Sequence, residues 1–296
     1  MSRLIAIGEC MIEFSGDEER GYRLGFAGDT LNTAWYARAA LDESHAVAWL
    51  SAVGDDHYSD RMLDFIGGAG IDVTPVRRIA GLRPGLYLIE QHDGDRRFTY
   101  WRDRSAARML ADDPAHLRAV LDGCDVVHLS GITLAILAPE ARTRLLDAIG
   151  GSRATLAFDP NIRAALWSDD DTMREALTAA ARRAHIVLPS FDDEALHFGD
   201  RDTDETIGRY RSLGCREIVV KNGPCPVDFR VEHVGGRVEV PPAKVVDATG
   251  AGDSFNGAYL AARLGGAGPD DAVRSAVACA SLVVGHHGAI PRESGP

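Results

Sequence analysis

The sequence predicts an α/β fold whose sheet is parallel and covered on both faces by helices. Three observations carry the prediction: short apolar strands alternate with helix-like stretches along most of the 296 residues, hydrophobic residues make up 45% of them, and neither a repeat nor a low-complexity linker interrupts the pattern. Strands are expected at "RLIAIG", "AVAWLSAVG", "DVVHLSG", "ATLAFD", "HIVLPS" and "EIVVKNG", each beside a helical segment. Two helix entries carry acidic starts that suit the positive helix end. One is Asp29, placed as the N-cap of "TLNTAWYARAAL"; the other opens "SDDDTMREALTAAARRA".

Composition narrows the function. The first residues, "MSRLIAIGECMIEF", offer only a short apolar run, too short for a secretory core. No run approaches the roughly 18 apolar residues of a membrane span, so a cytoplasmic protein with no membrane partner is expected. Cys10, Cys124, Cys215, Cys225 and Cys279 are scattered without a C-x-x-C pair and are read as reduced, mostly buried thiols. A net charge of −12 argues against a nucleic-acid partner, which needs clustered Lys and Arg. The adjacent pair His286 and His287 has no third ligand nearby in sequence and makes no zinc site.

One region departs from the alternation. "GLYLIEQHDGDRRFTYWR" reads as two strands around Asp93-Gly94, a strong signal for a two-residue hairpin turn. That turn fixes the register: Tyr87 opposes Tyr100 and Gly85 opposes Arg102, so Tyr87, Tyr100 and Arg102 share one aromatic and cationic face. A solvated sheet edge and a ligand-binding face both fit these residues.

The stretch "DATGAGDSFNGAYLAARL", residues 247–264, sets a small, flexible turn before a helix expected from Ser254 onward. Backbone N–H groups of Gly250, Ala251 and Gly252 can converge on an anion there, helped by the helix end. No lysine follows as in a P-loop; Asp253 stands at the mouth instead. A carboxylate would repel a bound phosphate unless a hydroxyl lay between them, so Asp253 fits a general base that takes a hydroxyl proton while the N–H groups stabilise a transferring phosphoryl group. A generic strand-to-helix turn fits the spacing as well.

This segment resembles the C-terminal signature of the PfkB-type, ribokinase-like carbohydrate kinases, with Asp247, Thr249, Gly250, Ala251, Gly252 and Asp253 in the matching positions. "FAGDTLNTA" resembles the family's N-terminal glycine motif, with Ala27 where a first glycine is commoner. The resemblance spans essentially the whole chain. It implies a ribokinase-like three-layer sandwich, a single domain over 1–296 with a mainly parallel central sheet and a small β-sheet lid made from about 10–28 and 82–104. It also implies that Gly28, Asp29 and Asn32 face sugar hydroxyls, that Asp253 is the base, and that Gly250 to Gly252 form the anion hole. For Asp29 a plain N-cap role competes with substrate binding or accompanies it.

Most of the family acts on neutral sugars, yet two arginines are placed here: Arg102 ends "FTYWR", and Arg163 ends "DPNIR", just past a predicted strand end, where ligands gather in open α/β folds. Arginine's planar fork suits a carboxylate, so a sugar acid fits better than ribose or fructose. Together with "GLYLIE", "DPNIR", "LPSFDDE" and "GHHGAI", these segments are similar to the 2-keto-3-deoxygluconate kinases of the family. That similarity implies a kinase using Mg-ATP on the 6-hydroxyl, with Tyr87, Tyr100, Arg102 and Arg163 on the acid and Asn161, Lys221, Gly223, Gly250 and Gly252 near the nucleotide. A K+ ion at Asp247 and Thr249 and a homo-oligomer through the lid are also implied. Ser190 and Asp193 replace the family's usual N-x-x-E pair, where an ordinary acidic helix start competes. The 4-epimer 2-keto-3-deoxygalactonate, a neutral ketose such as fructose, and a non-catalytic sensor of sugar acid or nucleotide are the alternative readings.

Overall fold

A computed structural model describes residues 2–17, 21–92 and 95–290. In chain order its elements are β1 (Arg3–Ile7), β2 (Met11–Asp17), β3 (Gly21–Ala27), α1 (Asp29–Ala40), β4 (Ala46–Leu50), β5 (Ala52–Val53), α2 (His57–Gly68), β6 (Arg77–Arg78), β7 (Gly85–His92), β8 (Asp95–Trp101), α3 (Pro114–Leu121), β9 (Val126–Ser130), α4 (Gly131–Ile136) and α5 (Pro139–Gly150). They continue as β10 (Thr155–Asp159), α6 (Asp170–Ala181), β11 (Ile186–Val187), α7 (Phe191–Phe198), α8 (Thr203–Ser212), β12 (Glu217–Val220), β13 (Val227–Val231), β14 (Val234–Val238), α9 (Ala251–Leu264) and α10 (Pro269–Val283).

Every strand expected from the apolar runs is present. The main sheet has the order β14-β13-β12-β11-β10-β9-β1-β4 and is parallel from β4 to β12, with the β13–β14 hairpin antiparallel at one edge. Alternation along β1 sends Ile5 and Ile7 into one core and Leu4 and Ala6 into the other. Helices therefore cover both faces, because neither face of such a strand can stay in water.

Chain order reverses at β1, which has β4 on one side and β9 on the other. The carboxyl ends of β1, β9 and β10 thus open a crevice at a topological switch point, the usual ligand position in open α/β sheets. Helix α1 enters beside α9: the Thr33 hydroxyl donates to the Asp253 carbonyl at 3.2 Å, and the Tyr36 hydroxyl donates to the Ala289 carbonyl at 2.7 Å.

A second sheet, β3-β2-β7-β8, stands apart from the first. Its β7–β8 pairing has Tyr87 opposite Tyr100 and Leu86 opposite Trp101, the register that the Asp-Gly turn predicts. The turn residues 93 and 94 lie outside the described residues. The thiols of Cys10, Cys124 and Cys215 are buried, Cys225 is exposed, and all five cysteines are free.

Candidate active site

The turn before α9 differs from the expectation in one respect. The helix starts at Ala251 rather than Ser254, so Asp253 lies within its first turn. Gly250 is the cap, with φ 79° and ψ 0°, a left-handed conformation that costs a Cβ-bearing residue about 1–2 kcal/mol. Turning the chain so sharply lets Ala251 and Gly252 begin the helix, where the first N–H groups have no intrahelical partner; that of Ala251 donates back to the Ala248 carbonyl at 3.2 Å. Upstream, Asp247 is buried and accepts from the Thr249 N–H at 2.9 Å and the Gly288 N–H at 2.6 Å, which fixes the turn against the "GHHGAI" segment.

Asp253 accepts from the Asn32 amide at 2.8 Å. Burial pushes its pKa up to about 7, the nearby charge of Asp29 adds to the rise, and the Asn32 hydrogen bond opposes it. A carboxylate poised near neutrality, beside the N–H groups of a helix start, is equipped to accept a hydroxyl proton.

Asp29 is not the N-cap of α1. Gly28 takes that position in an extended conformation, φ −178°, and its carbonyl accepts from Asn32 N–H at 2.7 Å. The Asp29 carboxylate is drawn elsewhere: it accepts from the Thr30 N–H at 2.8 Å, from the Ser130 hydroxyl at the end of β9, and from the Asn161 amide at 3.0 Å. Asn161 thus sits on the side of Asp29. Its φ of 34° is one of two positive values among described non-glycine residues, a local strain that orients its amide.

Lys221, expected near the nucleotide, is buried just past the end of β12. Its Nζ donates to Asp159 at 2.8 Å and to Asn256 at 3.2 Å, and the Asn256 amide donates to Asp159 at 2.6 Å. Asp159 and Asn256 were not singled out from sequence; Asp159 is the first residue of the quoted "DPNIR". Lys221, Gly223, Ala251 and Gly252 line a cleft of about 610 Å³, walled on its far side by Val240, Pro241, Val245, Val277 and Val284. Such an apolar slot beside the turn has the shape and chemistry to take a nucleotide base.

The hairpin face assembles as its register requires. The rings of Tyr87 and Tyr100 lie 5.8 Å apart, and the Arg102 guanidinium is 6.0 Å from the Tyr100 ring centre. A Cβ on Gly85 would come within 3.1 Å of the Arg102 Cβ, so this pair also faces as expected. The charge of Arg163 reaches this face: burial raises the Tyr100 pKa, while the charges of Arg102 and Arg163 both oppose that rise. Arg163 is 53% exposed and stands 3.6 Å from Asp193.

Two acidic partners in this region escaped the sequence reading. The Tyr87 hydroxyl donates to the buried carboxylate of Glu13, and Arg102 is paired with Glu9, which is 1% exposed at its side chain. Ser190 starts α7 without a capping side-chain bond, and Asp193 faces Arg163 rather than solvent. The neighbouring Glu194 is the buried acid of that helix, tied to Arg209 at 2.6 Å and Tyr210 at 2.9 Å. Among the described residues no group of His, Cys, Asp and Glu forms a metal cluster, and no helix is long and apolar enough to cross a membrane.

Comparisons with known proteins bear on the family and the fold. The model of the pfkB family carbohydrate kinases matches residues 1–294. The 2-dehydro-3-deoxygluconokinase of Escherichia coli K12 is 37% identical over 309 residues, covering 100% of both chains, and that of Haemophilus influenzae is 34% identical, covering 98% of this chain and 96% of its own. Among solved structures, a PfkB protein from Polaromonas sp. JS666 is 28% identical with a TM-score of 0.84, each chain covered to 96%. A fructokinase from Vibrio cholerae O395, solved with fructose, ADP and calcium, shares the fold at 23% identity, with a TM-score of 0.83 over 98% of this chain and 94% of its own. A match over nearly the whole chain, with the glycine turn and its aspartate in place, makes this protein a member of the pfkB family of carbohydrate kinases.

Proposed function

We propose that the enzyme transfers the γ-phosphoryl group of Mg-ATP to the 6-hydroxyl of 2-keto-3-deoxygluconate, also called 2-dehydro-3-deoxygluconate, giving the 6-phosphate. The observation that carries the substrate class is the hairpin face, where the Arg102 guanidinium lies 6.0 Å from the Tyr100 ring centre and the charge of Arg163 also reaches Tyr100. Neutral sugar hydroxyls have no use for two guanidinium groups on one wall, whereas a carboxylate does. Relatives named for this substrate at 34–37% identity support the same reading.

In this mechanism the acid end lies against Arg102, Arg163 and Tyr100, and Asp29 and Asn32 accept and donate to the middle hydroxyls. Asp253 takes the proton of the terminal hydroxyl as that oxygen attacks the γ-phosphorus. The N–H groups of Ala251 and Gly252 stabilise the charge that develops on the transferring group, and they do so best with water excluded. Adenine occupies the apolar cleft beside Gly223, and Mg2+ arrives with the nucleotide. Asn161, bonded to Asp29, belongs in this scheme to the junction between sugar and phosphates.

The β3-β2-β7-β8 sheet acts as the lid over the sugar. Its exposed Trp101, 57% accessible, is on the face away from Tyr87 and Tyr100 and supports association of two copies through that sheet. The buried charge of Asp247 beside Thr249 supports a K+ ion next to the anion hole. The decisive experiment is ADP release from Mg-ATP with 2-keto-3-deoxygluconate, its 4-epimer, fructose and ribose in parallel. Preference for the acids supports the reading, and preference for a neutral sugar rejects the substrate while leaving the kinase.

A further inference from the structure

The pair Glu9–Arg102 presents a problem that the proposed reaction does not solve by itself. Arg102, the guanidinium placed for the substrate carboxylate, is only 9% exposed and already holds a carboxylate, that of Glu9, which is more deeply buried still. The Arg102 Nη2 donates to Glu9 Oε2. The other oxygen, Oε1, is fully buried and makes no hydrogen bond of full geometry, as is true of the buried Nε of Arg102. The buried Ser105 hydroxyl stands beside this carboxyl and, as a hydrogen-bond donor, favours its charged form against the burial that disfavours it.

A second carboxylate brought to Arg102 would place two negative charges on one guanidinium in a dry site. The groups facing Glu9 do not relieve this. Asp29, from α1, adds negative charge; Arg102 is the cation already counted; Ser105 is neutral. On its own stretch, burial keeps the Cys10 thiol protonated, and Glu13 is held by Tyr87. Arg163 is a second cation whose charge reaches Tyr100, but it is half exposed and faces Asp193.

We propose that Glu9 is a specificity-setting residue that occupies Arg102 in the empty site and yields it, by taking a proton from solvent at Oε1, when the substrate carboxylate binds. The proposal rests on the sugar-acid reading above. One O–H bond forms on Glu9, the proton comes from the buffer, and no other covalent bond changes. The new Oε1–H can then donate to the Ser105 oxygen, reversing the contact by which that hydroxyl favours the charged carboxylate in the empty site. A neutral sugar brings no second charge and takes up no proton. Glu9 thereby ties recognition of an acid to proton uptake and makes the affinity for that acid weaken as pH rises.

The test is calorimetric titration of the whole enzyme with 2-keto-3-deoxygluconate at about pH 8, above the ordinary carboxylate range, in phosphate and in Tris. These buffers differ in ionisation enthalpy, so the difference in measured heat counts protons. Wild type should take up about one proton per acid bound, with affinity falling by up to about tenfold per pH unit as Glu9 ionises. Glu9→Gln keeps an oxygen acceptor for Arg102 and removes the charge, so it should bind the acid at least as tightly, with an uptake near zero and a flatter pH profile. Binding to wild type without proton uptake overturns the proposal whether or not the variant folds, as does equal uptake by Glu9→Gln. Failure of the acid to bind wild type at any pH, with a neutral sugar binding instead, overturns the substrate reading and this coupling with it.

Discussion

The side-chain amide of Asn32 donates to the Asp253 carboxylate across 2.8 Å and joins the first turn of α1 to the first turn of α9. The two glycine-containing segments of the sequence meet in that bond. It aims the Asp253 oxygen into the crevice, and it opposes a rise in pKa that burial and Asp29 impose. A base held in this way is costly to the fold and useful to the reaction.

Asp253→Asn should lower kcat by about 100- to 10,000-fold, the usual contribution of a general base, while ATP still protects the protein against thermal unfolding. Its effect on stability should have the opposite sense. Asp253 holds its proton up to about pH 7 in the folded protein but only to about 3.9 when unfolded. The folded state therefore binds more protons between those values, and stability is lost as pH rises through that window. Removing the titrating group should make the variant more stable than wild type at pH 8, by a few kcal/mol at most. Loss of both activity and stability at that pH would make Asp253 a structural acid.

The rate should follow the same proton. kcat/KM should rise with pH and level off near 7, where Asp253 becomes ionised in the free enzyme. Asp29→Asn removes the neighbouring negative charge, so the rising limb should move to lower pH by about one unit, whatever happens to its height. A limb that stays in place would mean that Asp29 does not act on Asp253, or that the limb belongs to another group.

The parts of this arrangement legible in the sequence are those written within one short segment. The Asp-Gly turn fixes a register without reference to the rest of the fold, and it brings Tyr87, Tyr100 and Arg102 to one face. The glycine turn before Asp253 is likewise local. Asp29 was misplaced as a cap because capping is a local rule, whereas its carboxylate is claimed by Ser130 and Asn161, residues 101 and 132 positions away. Glu9 and Glu13 sit in the apolar stretch "GECMIEF" and look like the polar side of a strand; their partners Arg102 and Tyr87 lie 93 and 74 residues further on. The one local sign was that acids recur in a segment too apolar to be an exposed edge.

The Gly250 conformation gives a test of the anion hole that leaves charges untouched. Gly250→Ala places a methyl group 2.7 Å from the Ala289 Cα on a left-handed backbone. Strain and overpacking together should destabilise the protein by about 2–4 kcal/mol and depress kcat, because the Ala251 and Gly252 N–H groups lose their aim. Gly252→Ala meets only the Lys221 Nζ, at 3.5 Å, an ordinary contact. It should leave the melting temperature nearly unchanged while raising KM for ATP, since the methyl points toward the cleft that Gly252 lines. Equal melting shifts in the two variants would rule out the left-handed cap as the reason for glycine at position 250.

Arg102 separates recognition from stability. Arg102→Leu should weaken use of the sugar acid by about 2–4 kcal/mol in kcat/KM, the cost of a desolvated charged contact, and should change a neutral ketose much less. It also strands Glu9, a buried carboxylate with no other cation beside it, so the melting temperature should drop as expected for about 3–5 kcal/mol. Adding Glu9→Gln to Arg102→Leu removes the stranded charge. The double variant should regain most of the stability and none of the preference for the acid. Recovery of acid use along with stability would show that Arg102 served the fold and that the carboxylate is read elsewhere, with Arg163 the remaining candidate on that wall.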